Sequence, residues 1–276
     1  MSGTYPNVIK YPGSKWRIAA WICSHMPEHH SYLEPYFGSG AVLFRKEPSS
    51  IETVNDLDSR VTNLFKLIRE RPDDLARVIS ATPHSRKEYM ATYTAGVTDD
   101  ILESTRQFLI QCWQGHGFRT SRYSSGWKND VQGREAAYSL RNWYRLPGWI
   151  MEVAERLRQV QIENMPAVPL IQRFRYENVL IYADPPYVLG TRTGKQYKYE
   201  MTDTDHIELL QVLNEHPGPV LLSGYDSEIY NDFLRCWSRT ETDARAEHAM
   251  PRKEVLWLNP VAAESLSLGL FEGVST

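Results

Sequence analysis

The chain has 276 residues, 42% of them apolar and 24% charged, with a net charge of −3. Those values fit one large α/β domain carrying an insert and exclude a disordered or collagen-like chain. They also exclude polyanion binding by the chain as a whole, so a nucleic-acid surface has to be local. The longest apolar run is six residues, Ile18 to Cys23, too short to cross a bilayer, so no membrane partner is expected. The start, Met1-Ser2-Gly3-Thr4, lacks a basic region and an apolar stretch, and no secretory signal is expected. Cys23, Cys112 and Cys236 lie far apart without a C-x-x-C, which argues against disulfides or zinc and fits a reducing, cytoplasmic setting.

In chain order, Trp16, Ala19, Ala20, Cys23 and Met26 make a helical stripe, with Ser14 as its expected N-cap. Short β-rich runs follow at Tyr32-Leu33, Ile51 to Val54, Val160 to Ile162, Val179 to Ala183, Val220 to Ser223 and Val255 to Leu258. Such runs fit buried strands of a largely parallel sheet. Between the second and third runs lie residues 55–159, far more than a crossover needs. Four helical stripes fill that interval: Val61-Leu64-Phe65-Ile68; Ile101-Thr105-Phe108-Leu109-Cys112; Ala137-Leu140-Tyr144; and Trp149-Ile150-Val153-Leu157. A last stripe, Ile207-Leu210-Leu213, closes at Pro217-Gly218. The pattern is a helical insert carried on an α/β domain.

Charge is uneven along this order. From Arg106 to Arg145 there are seven basic residues against Asp130 and Glu135, a local charge of +5. The same stretch holds eight aromatic residues. Basic groups neutralise phosphates and flat rings stack on bases. The same residues also fit a solvated helical face with a core beneath it, and composition does not separate the two.

Two motifs carry chemistry. Glu34-Pro35-Tyr36-Phe37-Gly38-Ser39-Gly40 follows the first strand, and its glycines permit a tight turn against a ligand. Asp56, eighteen residues past Gly38, is placed to accept from ribose hydroxyls. Leu43 stands where a dinucleotide fingerprint needs its third glycine, which disfavours a nicotinamide enzyme. The second motif is Asp184-Pro185-Pro186-Tyr187, at the C-terminal end of an apolar strand, where open α/β sheets bind ligands. The prolines remove two N–H donors, Asp184 offers acceptor oxygens and Tyr187 a flat face. Together they suit an exocyclic amino group on a ring. His25 and His29 have ligand spacing, but no Glu or Cys completes a site and no metal is expected.

In this order, with the insert between them, these motifs resemble those of the Dam-type (D12 class) adenine-N6 DNA methyltransferases. Lys10-Tyr11-Pro12-Gly13-Ser14-Lys15 is similar to the N-terminal motif of that family, and Ser223 to Asp226 and Glu254 to Trp257 to its closing strands. The resemblance implies a Rossmann-like class I methyltransferase fold, a mostly parallel seven-stranded sheet with an inserted helical target-recognition domain. It assigns 1–58 and 158–276 to the catalytic domain and 59–157 to target recognition. It implies S-adenosylmethionine as cofactor, bound by Tyr11, Lys15, Glu34, Pro35, Phe37, Gly38, Ser39, Gly40, Asp56 and Asp184. It implies methyl transfer to N6 of a flipped-out adenine at Asp184, Pro185, Pro186 and Tyr187. Double-stranded DNA is the implied partner, with Arg119, Arg122, Tyr123, Lys128, Lys195, Tyr197 and Lys198 as contacts, and a restriction endonuclease of the same system fits as a second partner. The chain departs from the family at Met165 or Pro166, where an Asp usually touches the adenine of the cofactor. N4-cytosine methylation and an inactive DNA-binding module are the competing readings.

Overall fold

The structure is a computed structural model and describes residues 5–96, 98–118, 124–129, 136–191, 197–245 and 251–272. Seven strands form one sheet: β1 (Ser31–Glu34), β2 (Ile51–Asn55), β3 (Val160–Glu163), β4 (Val179–Ala183), β5 (Val220–Gly224), β6 (Ser238–Arg245) and β7 (Pro251–Leu258). Their spatial order is β3-β2-β1-β4-β5-β7-β6. The first five run parallel, whereas β7 is antiparallel to both β5 and β6. This is a mixed α/β, Rossmann-like sheet.

The register puts the C-terminal ends of the parallel strands on one edge. Leu33 of β1 pairs with Ile181 of β4, and Ala183 of β4 with Leu222 of β5. Because β7 runs the other way, its early residues reach that same edge: Val255 pairs with Gly224, the last residue of β5. Strand alternation splits the core in two. Leu33, Ile181, Ala183 and Leu222 face one cluster, and Tyr32, Leu180, Tyr182 and Leu221 face the other.

The helices are α1 (Ala19–Cys23), α2 (Ser59–Glu70), α3 (Pro72–Ser80), α4 (Arg86–Thr94), α5 (Ile101–Gln114), α6 (Ala136–Leu157), α7 (Ala167–Arg173), α8 (Asp203–Asn214), α9 (Glu228–Phe233) and α10 (Pro260–Glu272). Five of them, α2 to α6, fill the long interval between β2 and β3. Asp58 caps α2 by accepting from Arg60 N, Pro72 opens α3, and Asp100 caps α5. Apolar residues of α2, α5 and α6, among them Phe65, Leu109, Trp113, Trp143 and Ile150, join the same cluster as Tyr32 and Leu180.

Some expectations need correction. The first helix is only α1, and Ser14 does not cap it; its hydroxyl lies 2.8 Å from that of Ser39. The stripes on either side of Pro147 are one helix, α6, which runs through the proline. Leu140 and Tyr144, read as an inward stripe, are exposed, while Ser139, Trp143, Leu146 and Ile150 face inward. The indole N–H of Trp143 donates to Thr82 O at 2.8 Å, which fixes that orientation. Of the aromatic residues in the basic stretch, Phe108, Trp113, Phe118 and Trp143 are core. The histidines at the end of α1 are hydrogen-bonded: His25 Nδ1 meets Trp21 O, and His29 meets Pro27 O and the Ser49 hydroxyl.

Candidate active site

Three loops meet at the C-terminal edge of the sheet. The first runs from Tyr11 to Lys15. It turns through Gly13, which has φ +72°, and a Cβ there would lie 2.2 Å from the Tyr197 hydroxyl. The positive φ favours glycine there, and a larger residue would also push the Tyr197 hydroxyl aside. Tyr197 donates to Pro12 O at 3.2 Å and so closes over the turn.

The second loop leaves β1 at Glu34. Phe37 N donates to Asn55 O at 2.8 Å, which draws the ends of β1 and β2 together. Gly38 N donates to Asp56 Oδ2 and Asp58 N to Asp56 Oδ1, both at 2.8 Å. Burial pushes the Asp56 carboxyl up to about 6 despite these two N–H donors. Gly40 packs against the rings of Phe37 and Phe44 with φ +69°.

The third loop follows β4. Lys15 Nζ lies 3.0 Å from Asp184 Oδ1, with the two side chains 6% and 17% exposed. The pair is charge-paired without a well-aligned hydrogen bond on Oδ1. The same ammonium donates to Gly13 O at 2.7 Å and stands 4.7 Å from the centre of the Tyr187 ring. Burial opposes the charge on Lys15, yet Asp184 and Glu254 outweigh it and hold the pKa above the ordinary range. Burial pushes Asp184 up to about 6, with Lys15 pulling it down and Glu254 adding to the rise. Glu34 is 2% exposed and accepts from the Tyr32 hydroxyl at 2.8 Å. Burial lifts it to about 8, against the Tyr32 bond and with the Asp184 charge adding.

These loops enclose a cavity of about 690 Å³. Ten of the residues expected from sequence line it: Tyr11, Lys15, Glu34, Pro35, Phe37, Gly38, Ser39, Asp56, Asp184 and Pro186. Gly40, Pro185 and Tyr187 are not among its lining residues, and the Tyr187 ring lies directly beneath the lining Lys15 ammonium. Tyr197 and Lys198, expected at phosphate, line the cavity as well. Lys128 lies away from it, where its N–H donates to Gln114 O at 2.7 Å. Arg119, Arg122, Tyr123 and Lys195 lie outside the described residues.

Leu57, Met165, Pro166 and Val168 line the cavity as well. Asn55 fixes Met165 by both backbone groups, at 2.9 and 3.0 Å. Met165 and Pro166 thus present an apolar surface to the cavity. Sequence reasoning missed Glu254, whose carboxylate accepts from the Tyr187 hydroxyl at 2.6 Å. No sequence signal marked its role: on β7 it follows Arg252 and Lys253 in an unbroken charged run, and its partner is 67 residues away.

Known proteins agree with this architecture. Residues 11–247 match the model of the D12 class N6 adenine-specific DNA methyltransferases, and the chain belongs to that family. The Type II methyltransferase M1.LlaDCHI of Lactococcus lactis subsp. cremoris is 31% identical over 248 residues, covering 81% of this chain and 84% of its own. The DNA adenine methylase of Serratia marcescens is 22% identical over 82% of this chain and 86% of its own. The Retron Ec67 DNA adenine methylase of Escherichia coli is 26% identical over 83% and 80%. The protein is a DNA methyltransferase specific for adenine N6, an enzyme that needs a methyl donor and takes DNA as substrate. Among the described residues, no helix is long and apolar enough to cross a membrane.

Proposed function

We propose that the cavity binds S-adenosylmethionine and receives a flipped-out adenine beside Asp184. The observation that carries this is the convergence of Lys15, Glu34, Asp56 and Asp184 on one concave site at the C-terminal edge of the sheet. The donor set suits the cofactor. Asp56 keeps a lone pair on each oxygen for ribose hydroxyls, Tyr11 and Lys15 serve the methionine end, and Leu57, Met165 and Pro166 offer a face to a flat purine. When bound, S-adenosylmethionine supplies an electrophilic methyl group on sulfur.

The residues of the chain do the rest. The N6 lone pair of adenine is delocalised into the ring, so the nitrogen is a weak nucleophile. Asp184 and the Pro185 carbonyl accept from its two hydrogens, localise the pair and stabilise charge developing on nitrogen. The sequence Asp-Pro-Pro keeps competing N–H donors away from those acceptors. Tyr187 stacks against the base and holds it in line, a proximity effect. A base within a duplex cannot reach the site, so the nucleotide is extruded.

In the same reading, 59–157 recognises the target and 1–58 with 158–276 carries catalysis. Arg119, Arg122, Tyr123 and Lys128 contact DNA from the insert, and Lys195, Tyr197 and Lys198 contact it near the extruded nucleotide. The likeness to a Type II methyltransferase supports a restriction endonuclease partner, and an enzyme that acts on DNA fits the cytoplasm.

The test uses unmethylated bacterial genomic DNA and tritiated S-adenosylmethionine, with digestion to nucleosides. Label is expected in N6-methyldeoxyadenosine. Asp184→Ala is expected to lower kcat on the order of 10³-fold, while calorimetric titration still shows cofactor binding. Normal turnover in that variant, or no cofactor heat in the unaltered protein, refutes the reading.

A further inference from the structure

Glu254 is a carboxylate 8% exposed on β7, between the solvent-facing Lys253 and the buried Val255. Its neighbour Val255 pairs with Gly224, so the antiparallel strand delivers Glu254 to the edge where the catalytic loop leaves β4. A carboxylate in such a place is costly unless hydrogen-bonded. Its partner is the Tyr187 hydroxyl, which donates to Oε2 at 2.6 Å. The Tyr187 ring is also met edge-on by Tyr225, with centroids 4.5 Å apart at 72°, and by the Lys15 ammonium at 4.7 Å.

We propose that Glu254 is a positioning residue for methyl transfer: its bond to the Tyr187 hydroxyl aims the ring at the target adenine. The argument is geometric. A phenol tethered at its oxygen has the Cβ–Oη axis fixed at both ends, so the ring cannot swing about χ1. Tyr225 then limits rotation about that axis. Stacking helps only while the base is held in line, and small misplacements there are expensive in rate. The charge of Glu254 also reaches Lys15, so the carboxylate could act instead as a counter-ion that keeps the lysine charged. The two roles need different atoms: positioning needs an acceptor at Oε2, and charge balance needs the negative charge.

The inference rests on the reading that Asp184 and Tyr187 receive the base. Four variants separate the roles, assayed for kcat and for the KM of S-adenosylmethionine on unmethylated genomic DNA. Glu254→Gln keeps the acceptor without charge and is expected to stay within about threefold of the unaltered enzyme. Glu254→Asp keeps the charge but withdraws the acceptor. It and Tyr187→Phe are each expected to lower kcat between about tenfold and a hundredfold, with the cofactor KM within about twofold. The Tyr187→Phe/Glu254→Asp double variant is expected to be no slower than Tyr187→Phe, because Tyr187→Phe already removes the bond that Glu254→Asp withdraws. Equal activity of the Gln and Asp variants, full additivity in the double variant, or an effect confined to cofactor KM overturns the proposal. If Glu254→Asp does not fold, Glu254→Gln in the Tyr187→Phe background decides. No further loss is expected there, and a further tenfold loss overturns the role. A fully active Asp184→Ala would sink the base-pocket reading itself; an inactive one beside an indifferent Glu254 series sinks only the positioning role.

Discussion

Two buried carboxylates on neighbouring strands are treated in opposite ways. Glu52, near the start of β2, is 3% exposed and has two cations: Lys46 Nζ at 2.6 Å and the Arg156 guanidinium, which binds both oxygens. Burial raises its pKa, but Arg156 and Lys46 outweigh that and hold it below the ordinary carboxylate range. Glu34, at the far end of β1, is 2% exposed and has a phenol hydroxyl instead. Its pKa rises to about 8. Tyr32 stands between the two, with the Lys46 ammonium 4.6 Å above its ring and its hydroxyl on Glu34. The amino edge of the sheet is electrostatically satisfied. The carboxyl edge brings Asp184 and Glu254 to Lys15, sets Glu34 within reach of the Asp184 charge, and leaves Glu34 and Asp184 with raised pKa values. Under-neutralised charge of that kind costs stability and clusters at functional sites.

The largest expected stability effect is at the satisfied end. Arg156→Met removes one of two cations and leaves Glu52 buried with Lys46. The loss is expected to be about 3 kcal/mol, the low end for breaking a buried pair, because Lys46 remains. Urea unfolding measures it. Activity per folded molecule at 25 °C should change little, since Glu52 and Arg156 are not among the cavity-lining residues. A loss under about 0.5 kcal/mol would mean that the cluster is no better than a surface pair, and the contrast would break.

The opposite sign is expected at Glu34. Its pKa is about 8 when folded against 4.5 when unfolded, so folding takes up a proton between those values. Its contribution to stability is fully present below about pH 4.5 and is lost as pH rises through 8. Glu34→Gln removes that loss and still accepts from Tyr32. The variant should gain about 1–3 kcal/mol at pH 8, and the gain should fade as pH is lowered to 4.5. Paired thermal melts at several pH values test it. A variant less stable at pH 8 would show that Glu34 is better solvated than its burial indicates.

How much of this could be read from sequence depended on whether burial wrote itself into residue type. Val179 to Ala183 is apolar throughout because β4 is covered on both faces, and its bounds were legible to the residue. The Gly38 and Asp184 loops were legible because glycine at positive φ and proline without N–H are local demands. Strand β6 was not, since Ser238 to Arg245 is a polar edge strand held by pairing with β7. Helix α6 hid its inward face because Leu140 and Tyr144 offer a helical spacing as good as that of Trp143 and Leu146, and only tertiary packing separates them. The role of Glu254 was hidden for a different reason: its meaning comes from the Tyr187 hydroxyl, 67 residues away in the chain.

The smallest effect sharpens the comparison on the helical side, where seven basic residues gave the Arg106 to Arg145 stretch its charge. They are not equivalent. Arg106 binds Glu88 at 2.9 Å and Glu103 at 2.6 Å and is 19% exposed, so it behaves like Arg156, a cation used within the chain. Lys128 is only half-buried and sits beside the Gly115–Trp127 bridge. If the stretch meets DNA, the phosphate contacts belong to residues like Lys128. Binding to a duplex is then measured against salt concentration. Lys128→Ala should lower the slope of log affinity on log salt by roughly one. Arg106→Gln should leave the slope unchanged and reduce stability instead. Should the two exchange behaviour, the assignment of phosphate contact to Lys128 over Arg106 fails, and the DNA footprint lies on another face of the helical region.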